Sequence, residues 1–190
     1  MKQERPIIFN TEMVNAIVRG RKTQTRRVVK KTTNKNEPNK DFAIPFESGT
    51  CYKDCPYGKP GDYLYVRETW YNPYYQSHYS KQTLKKRAEH TLYKANVNRN
   101  FNNFNWRPSI HMPKLFARIW LEITDVRVER IQNISESDCY VEGVKNTKGC
   151  SPRFPFGQLW DSINKDKGYG WEENPWVWVV EFKKIDKKGD

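Results

Sequence analysis

Nowhere does this chain approach the roughly 20 consecutive apolar residues that a membrane-spanning helix needs, and its start, Met1-Lys2-Gln3-Glu4-Arg5-Pro6, lacks the apolar run of a secretion signal. The expectation is a soluble cytoplasmic protein with no membrane partner. Histidine and cysteine are scarce, at three and four of 190 residues. Cys51 and Cys55 are spaced like half of a zinc site, but Cys139 and Cys150 are too far apart to be the other half, and His78, His90 and His111 form no close pair. No metal and no cofactor is therefore expected, and the thiols should be free. Acidic residues are also short: 22 Asp and Glu face 34 Lys and Arg, a formal charge of +12. That field favours polyanionic partners, nucleic acid first. An AT-rich coding sequence would raise Lys and Asn in the same way, so charge alone leaves the partner open.

Aromatic residues are plentiful, at 14% of the chain, within a hydrophobic content of 36%. This is enough for one domain with a real core, over residues 1–190, whose interior or binding surface must be rich in Trp, Tyr and Phe. Met13, Val14, Ile17 and Val18 recur at helical spacing after Asn10-Thr11, and Gly20 stands where a helix ends in a left-handed residue. The octet Gly20-Arg21-Lys22-Thr23-Gln24-Thr25-Arg26-Arg27 then reads as a loop entering a strand. Residues 28–41 are polar and Lys- and Asn-rich, a loop. Tyr63 to Trp70 has strand alternation, followed by a basic, aromatic insertion over 71–113.

Ile119, Leu121 and Ile123 share one face before Thr124-Asp125 shifts the alternation to Val126 and Val128, which predicts a bulge or tight turn. Ser135-Glu136-Ser137-Asp138 is a capping-box-like helix start, and that helix should end near Gly143 with Glu142 at its end. Phe156, Leu159, Trp160 and Ile163 predict a second helix, and Trp176 to Phe182 a last strand expected to close a barrel. Periodicity alone gives the fold class as α+β, which a mixed β-barrel with flanking short helices and a basic insertion would fit.

The pattern Gly20-x-Lys22-x-x-Thr25-x-Arg27 resembles the signature of the ASCH domain, a PUA-like β-barrel family linked to RNA and modified nucleobases. Further segments in order resemble phage-encoded ASCH-domain proteins: Arg5-Pro6-Ile7-Ile8-Phe9, Cys55-Pro56-Tyr57-Gly58-Lys59-Pro60-Gly61-Asp62, Val66-Arg67-Glu68-Thr69-Trp70, Trp106-Arg107-Pro108-Ser109-Ile110-His111-Met112-Pro113 and Asn174-Pro175-Trp176-Val177-Trp178-Val179. Some small ASCH proteins are amidohydrolases that deacetylate N4-acetylcytidine with a lysine, a threonine and a glutamate. The resemblance puts Lys22 and Thr25 in the first two roles and Glu142 in the third. It implies RNA or a modified nucleoside as partner, with a non-catalytic RNA-binding module, a ribonuclease or a phage protein-interaction factor as alternatives.

Physically, Thr25 needs a base to act as nucleophile, and Lys22 serves only if burial or neighbouring cations lower its pKa. Arg21, Arg26 and Arg27 supply such cations, whereas Glu142 close to Lys22 would oppose them. The same cations can instead hold phosphates. Glu68, at a strand end, is a candidate hydrogen-bond acceptor for a cytosine amine or a surface ion-pair partner. Trp70 and Trp106 are candidate base-stacking platforms. His111 is a candidate acid, base or packing residue. Lys85, Lys86, Arg87, Lys94, Arg99 and Arg107, interleaved with aromatics, have the character of a single-strand binder and equally of a solvated loop.

Overall fold

The structure, a computed structural model, describes residues 2–29, 55–75, 79–97, 104–144 and 149–186. Its elements run β1 (Glu4–Ile8), α1 (Thr11–Val18), β2 (Gln24–Val28), β3 (Tyr63–Arg67), β4 (Trp70–Tyr71), α2 (Lys81–Lys86), β5 (Leu92–Tyr93), β6 (Trp120–Arg130), α3 (Glu136–Val141), α4 (Arg153–Asn164) and β7 (Trp176–Ile185), with short 3-10 turns between them. Most of the polar 28–41 stretch, together with Cys51, His78, Arg99 and Phe101, lies outside the described residues.

β6 and β7, rich in branched and aromatic residues, form the long central pair of a five-stranded sheet ordered β1-β3-β6-β7-β2. β1 and β3 run parallel, and the other neighbours are antiparallel. The register of β6 on β7 shifts between Ile123 and Asp125, where the sequence predicts a bulge. The extra residue keeps Leu121, Ile123 and Val126 in one apolar cluster. Trp178, Val180 and Phe182 of β7 join that cluster, against Val14 and Ile17 of α1. Val177 and Val179 point the other way, into a second core with Phe156 and Trp160 of α4 and Cys139 of α3. The sheet therefore carries helices on both faces.

The mixed α+β class holds, but the expected closure by the last strand does not. β7 is an interior strand, and among the described residues no ladder joins the two edges β1 and β2. Both sides of β7 are already used, by β6 and β2, so it has no pairing capacity left to close a barrel. The link between the two edges is α1, whose apolar side packs on the sheet face.

The 71–113 insertion supplies the β4–β5 pair, α2 and several turns. These gather around their own cluster of Trp70, Met112 and Phe116, with Tyr75, Leu84 and Tyr93 against it.

Candidate active site

Main-chain geometry sets the octet before any side chain acts. Asn10 caps α1 by accepting from the Met13 amide. At the other end Gly20 takes φ +70°, and the amides of Arg21 and Lys22 both donate to the Ala16 carbonyl. The chain is next clamped from two directions, as Thr23 N donates to the Val141 carbonyl and Thr23 O accepts from the Phe182 amide. Lys22 thereby faces Glu142 across an isolated antiparallel bridge. Gly143 permits this approach: its φ is +95°, and a Cβ there would lie 3.2 Å from Ala16 Cβ and 3.4 Å from Lys22 Cβ.

The Lys22 ammonium is 2% exposed and donates to Glu142 twice, at 2.6 Å to Oε2 and 2.8 Å to the main-chain carbonyl. The other carboxylate oxygen, Oε1, accepts from Arg26 Nη1 at 3.1 Å. Arg26, 1% exposed at its side chain, also reaches Glu129 at 2.6 Å and Asp138 at 2.7 Å. Arg127 shares Asp138 and pairs with Glu181. One buried cation thus ties β2 to β6 and to α3.

Whether Lys22 is a base or a fixed cation depends on burial against ion pairing. Burial lowers its pKa and is the larger effect; Glu142 opposes through charge and hydrogen bond, while Arg27 and Arg26 push further down. The net direction is below the ordinary lysine value. In Arg26 the balance reverses: burial pulls down, but Glu142 and Glu129 outweigh it and hold the guanidinium above its usual value.

On β2, Thr25 and Arg27 alternate to the face opposite Arg26. Thr25, Arg27 and Glu142 line a cavity of about 280 Å³, closed by Tyr57, Phe156 and Trp160 among others. Arg27 is steadied by the Ile8 carbonyl at 2.6 Å and by the Phe9 ring, 5.1 Å from its guanidinium carbon. Its Nε is buried with no hydrogen-bond partner among the described residues. A buried donor without a partner is uncommon in folded proteins. Burial lowers the Arg27 pKa against the opposing pull of Tyr57 and Glu142, and burial raises that of Tyr57, keeping its hydroxyl protonated.

Thr25, Arg26, Arg27 and Glu142 line this cavity, and Lys22, which is not among its lining residues, reaches it through its bond to Glu142; the other candidates lie elsewhere. Arg26 is committed to three carboxylates, through Nε, Nη1 and Nη2. Arg21 is exposed beside the site. Glu68 is neither open to a base nor a surface pair: it is 1% exposed and held two-pronged by Arg118, at 2.8 and 3.0 Å. Trp70, fully buried against Tyr75 and Phe116, has no face left for stacking. Trp106 is half-buried against Tyr71 and Phe104. His111 is exposed on a 3-10 turn, not packed. These last four belong to the β3 end and the insertion, away from β2.

Sequence reading missed Tyr57, although Cys55-Pro56-Tyr57-Gly58 stood out as a segment, and missed the role of Phe156 and Trp160 as cavity wall. Asp138 was visible only as part of a cap; it does follow the Ser135 N-cap, but its carboxylate serves Arg26. Among the described residues no cluster of His, Cys, Asp or Glu can hold a metal, and no helix is long and apolar enough to cross a membrane.

No protein-family model and no curated protein matches the chain. Among solved structures it is similar to a DUF984-family protein from Enterococcus faecalis, with a TM-score of 0.46 and 11% identity over 100% of this chain and 84% of that one. It is similar also to an ASCH domain from Lactobacillus crispatus, with a TM-score of 0.46 and 11% identity over 96% of this chain and 79% of that one.

Proposed function

We propose that this protein is an ASCH-type amidohydrolase that admits a small acylated pyrimidine nucleoside to the cavity between β2 and α4 and removes the acyl group, N4-acetylcytidine being the most concrete substrate. The observation that carries this reading is a buried lysine with a lowered pKa, bridged to a glutamate that lines one cavity together with the threonine three residues after the lysine. The volume, about 280 Å³, is near the lower end of small-ligand sites.

In the proposed reaction the neutral Lys22 amine takes the proton of Thr25 Oγ as that oxygen bonds to the acyl carbon. The carbonyl oxygen gains the charge, and the guanidinium of Arg27, which lines the same cavity, is the cation suited to hold it. The acyl C–N bond then breaks, and the nucleobase nitrogen leaves with the proton from Lys22. Water attacks the acyl-threonine, Lys22 takes its proton and returns it to Thr25, and the carboxylic acid departs. Glu142 fixes the amine from one side through two acceptors, so Lys22 keeps one direction for proton transfer. Base catalysis of this kind is worth about 10²–10⁴ in rate, and the oxyanion donor about 10²–10³.

The test is chromatographic detection of cytidine and acetate from N4-acetylcytidine incubated with the purified protein. Equimolar release that persists in a chelator supports the reading; an inert protein that still binds the nucleoside makes the cavity a recognition site without hydrolysis.

A further inference from the structure

A second, larger cavity lies where α2 faces the start of β1 and the approach to β6, towards the sheet edge opposite β2. It has a volume of about 570 Å³ and is lined by Lys81, Leu84, Lys85 and Ala88 on one side, and by Leu115, Trp120 and others on the opposite side. Positions 81, 84, 85 and 88 follow the spacing of a single helical face. α2 buries none of its residues, and Lys81 and Lys85 stand exposed on this face, one turn apart on either side of Leu84 at the rim of the cavity.

The charges around the cavity do not balance. Its one acidic lining residue, Glu4, is paired with Lys114. Among the described residues Lys81 and Lys85 have no ion pair, and their mutual repulsion is uncompensated. The Lys114 ammonium is held in place besides, 5.7 Å from the Trp120 ring centre and 5.9 Å from that of Tyr65. Two free cations over an apolar wall match a ligand with two negative charges on one end and a flat apolar body on the other. A carboxylate would neutralise only one lysine, and a neutral body would leave both.

We infer that this second cavity binds a phosphomonoester carried on a nucleoside, with Lys81 and Lys85 on the phosphate and Leu84 and Leu115 against the base. The same chemistry is offered by a free nucleoside 5′-monophosphate and by the 5′-terminal nucleotide of an RNA strand. The site stands apart from Thr25, and binding there proceeds whether or not the first cavity is catalytic.

The experiment is titration calorimetry of the full chain with adenosine 5′-monophosphate, adenosine and inorganic phosphate. It is repeated on Lys81→Gln/Lys85→Gln and on a control, Lys183→Gln/Lys184→Gln, that removes the same charge from the exposed end of β7. The monophosphate should bind tighter than either fragment, unchanged in the control, and weaken by about tenfold per lysine in the double variant. Circular dichroism checks that both variants fold. Short RNAs with a 5′-phosphate or a 5′-hydroxyl then identify the source: preference for the phosphorylated strand assigns the RNA end, and binding of the mononucleotide alone assigns a free nucleotide. No binding of either, equal loss in the control, or inorganic phosphate binding as tightly as the nucleotide would overturn the inference.

Discussion

Arg26→Met removes the one cation that three carboxylates share, and it should be among the most damaging single substitutions in the chain. The guanidinium is 1% exposed and lies 2.6 Å from Glu129, 2.7 Å from Asp138 and 3.1 Å from Glu142. Breaking a buried pair by deleting one partner costs about 3–5 kcal/mol, because the remaining charge stays desolvated. Here Glu142 keeps Lys22, and Glu129 and Asp138, 17% and 25% exposed at their side chains, are partly screened by water and keep Arg127 at 3.6 and 3.4 Å. Those facts place the loss near the low end, about 3 kcal/mol. Urea unfolding followed by tryptophan fluorescence measures it. Removing the charges together, as Arg26→Met/Glu129→Gln/Asp138→Asn, should recover most of that loss, since no unpaired ion then remains in the cluster. A single variant that loses less than about 1 kcal/mol, or a triple variant no better than the single, would refute the view that Arg26 is held by paired charge.

Lys22 has a lowered pKa in the fold, so between that value and the ordinary 10.5 the unfolded chain holds a proton that the folded chain has released. Stability from this group is therefore complete above 10.5 and lost as pH falls through the folded value. Lys22→Met should flatten the rise of unfolding free energy with pH on the alkaline side, read by denaturant titration at several pH values. Gly143→Ala meets both a φ of +95° and a contact of 3.2 Å with Ala16 Cβ; it should cost about 2 kcal/mol, against about 1 kcal/mol for Gly20→Ala, where the added Cβ has nothing within 4 Å. Thermal melts of the pair test the order. Burial holds the Cys139 thiol up at about 11 and also raises Cys55, while Cys150 is exposed. Iodoacetamide at mildly alkaline pH should therefore label Cys150 and spare the other two, as peptide mass mapping would report.

Local patterns in this chain spoke clearly, and distant pairings hardly at all. The shift of alternation at Thr124-Asp125 foretold the bulge, because side-chain period is a property of neighbours. Ser135 foretold the start of α3, and Gly20 the end of α1, for the same reason. The partners of Arg26 stand 103 to 116 positions away, so nothing beside it in the sequence separates a buried ion-pair hub from a phosphate ligand. Glu68 was misread likewise, its Arg118 lying 50 positions off. Trp70 and Trp106 differ in burial only through the packing of the insertion, which a run of aromatics does not encode. The conflict over Lys22 was visible in outline, since a cation-rich octet and a matching acid were both legible. Its outcome was not, because the degree of burial decides it and depends on Gly143, Ala16 and Phe9 closing around the amine.

The most direct test of the central claim is the rate of cytidine release from N4-acetylcytidine by the wild-type protein, Thr25→Ala and Lys22→Met, compared at equal folded concentration. The proposed mechanism predicts turnover by the wild type and a loss of at least about 10² in each variant, with the nucleoside still bound by Thr25→Ala. Turnover retained in folded Thr25→Ala, or none by the wild type, would contradict it.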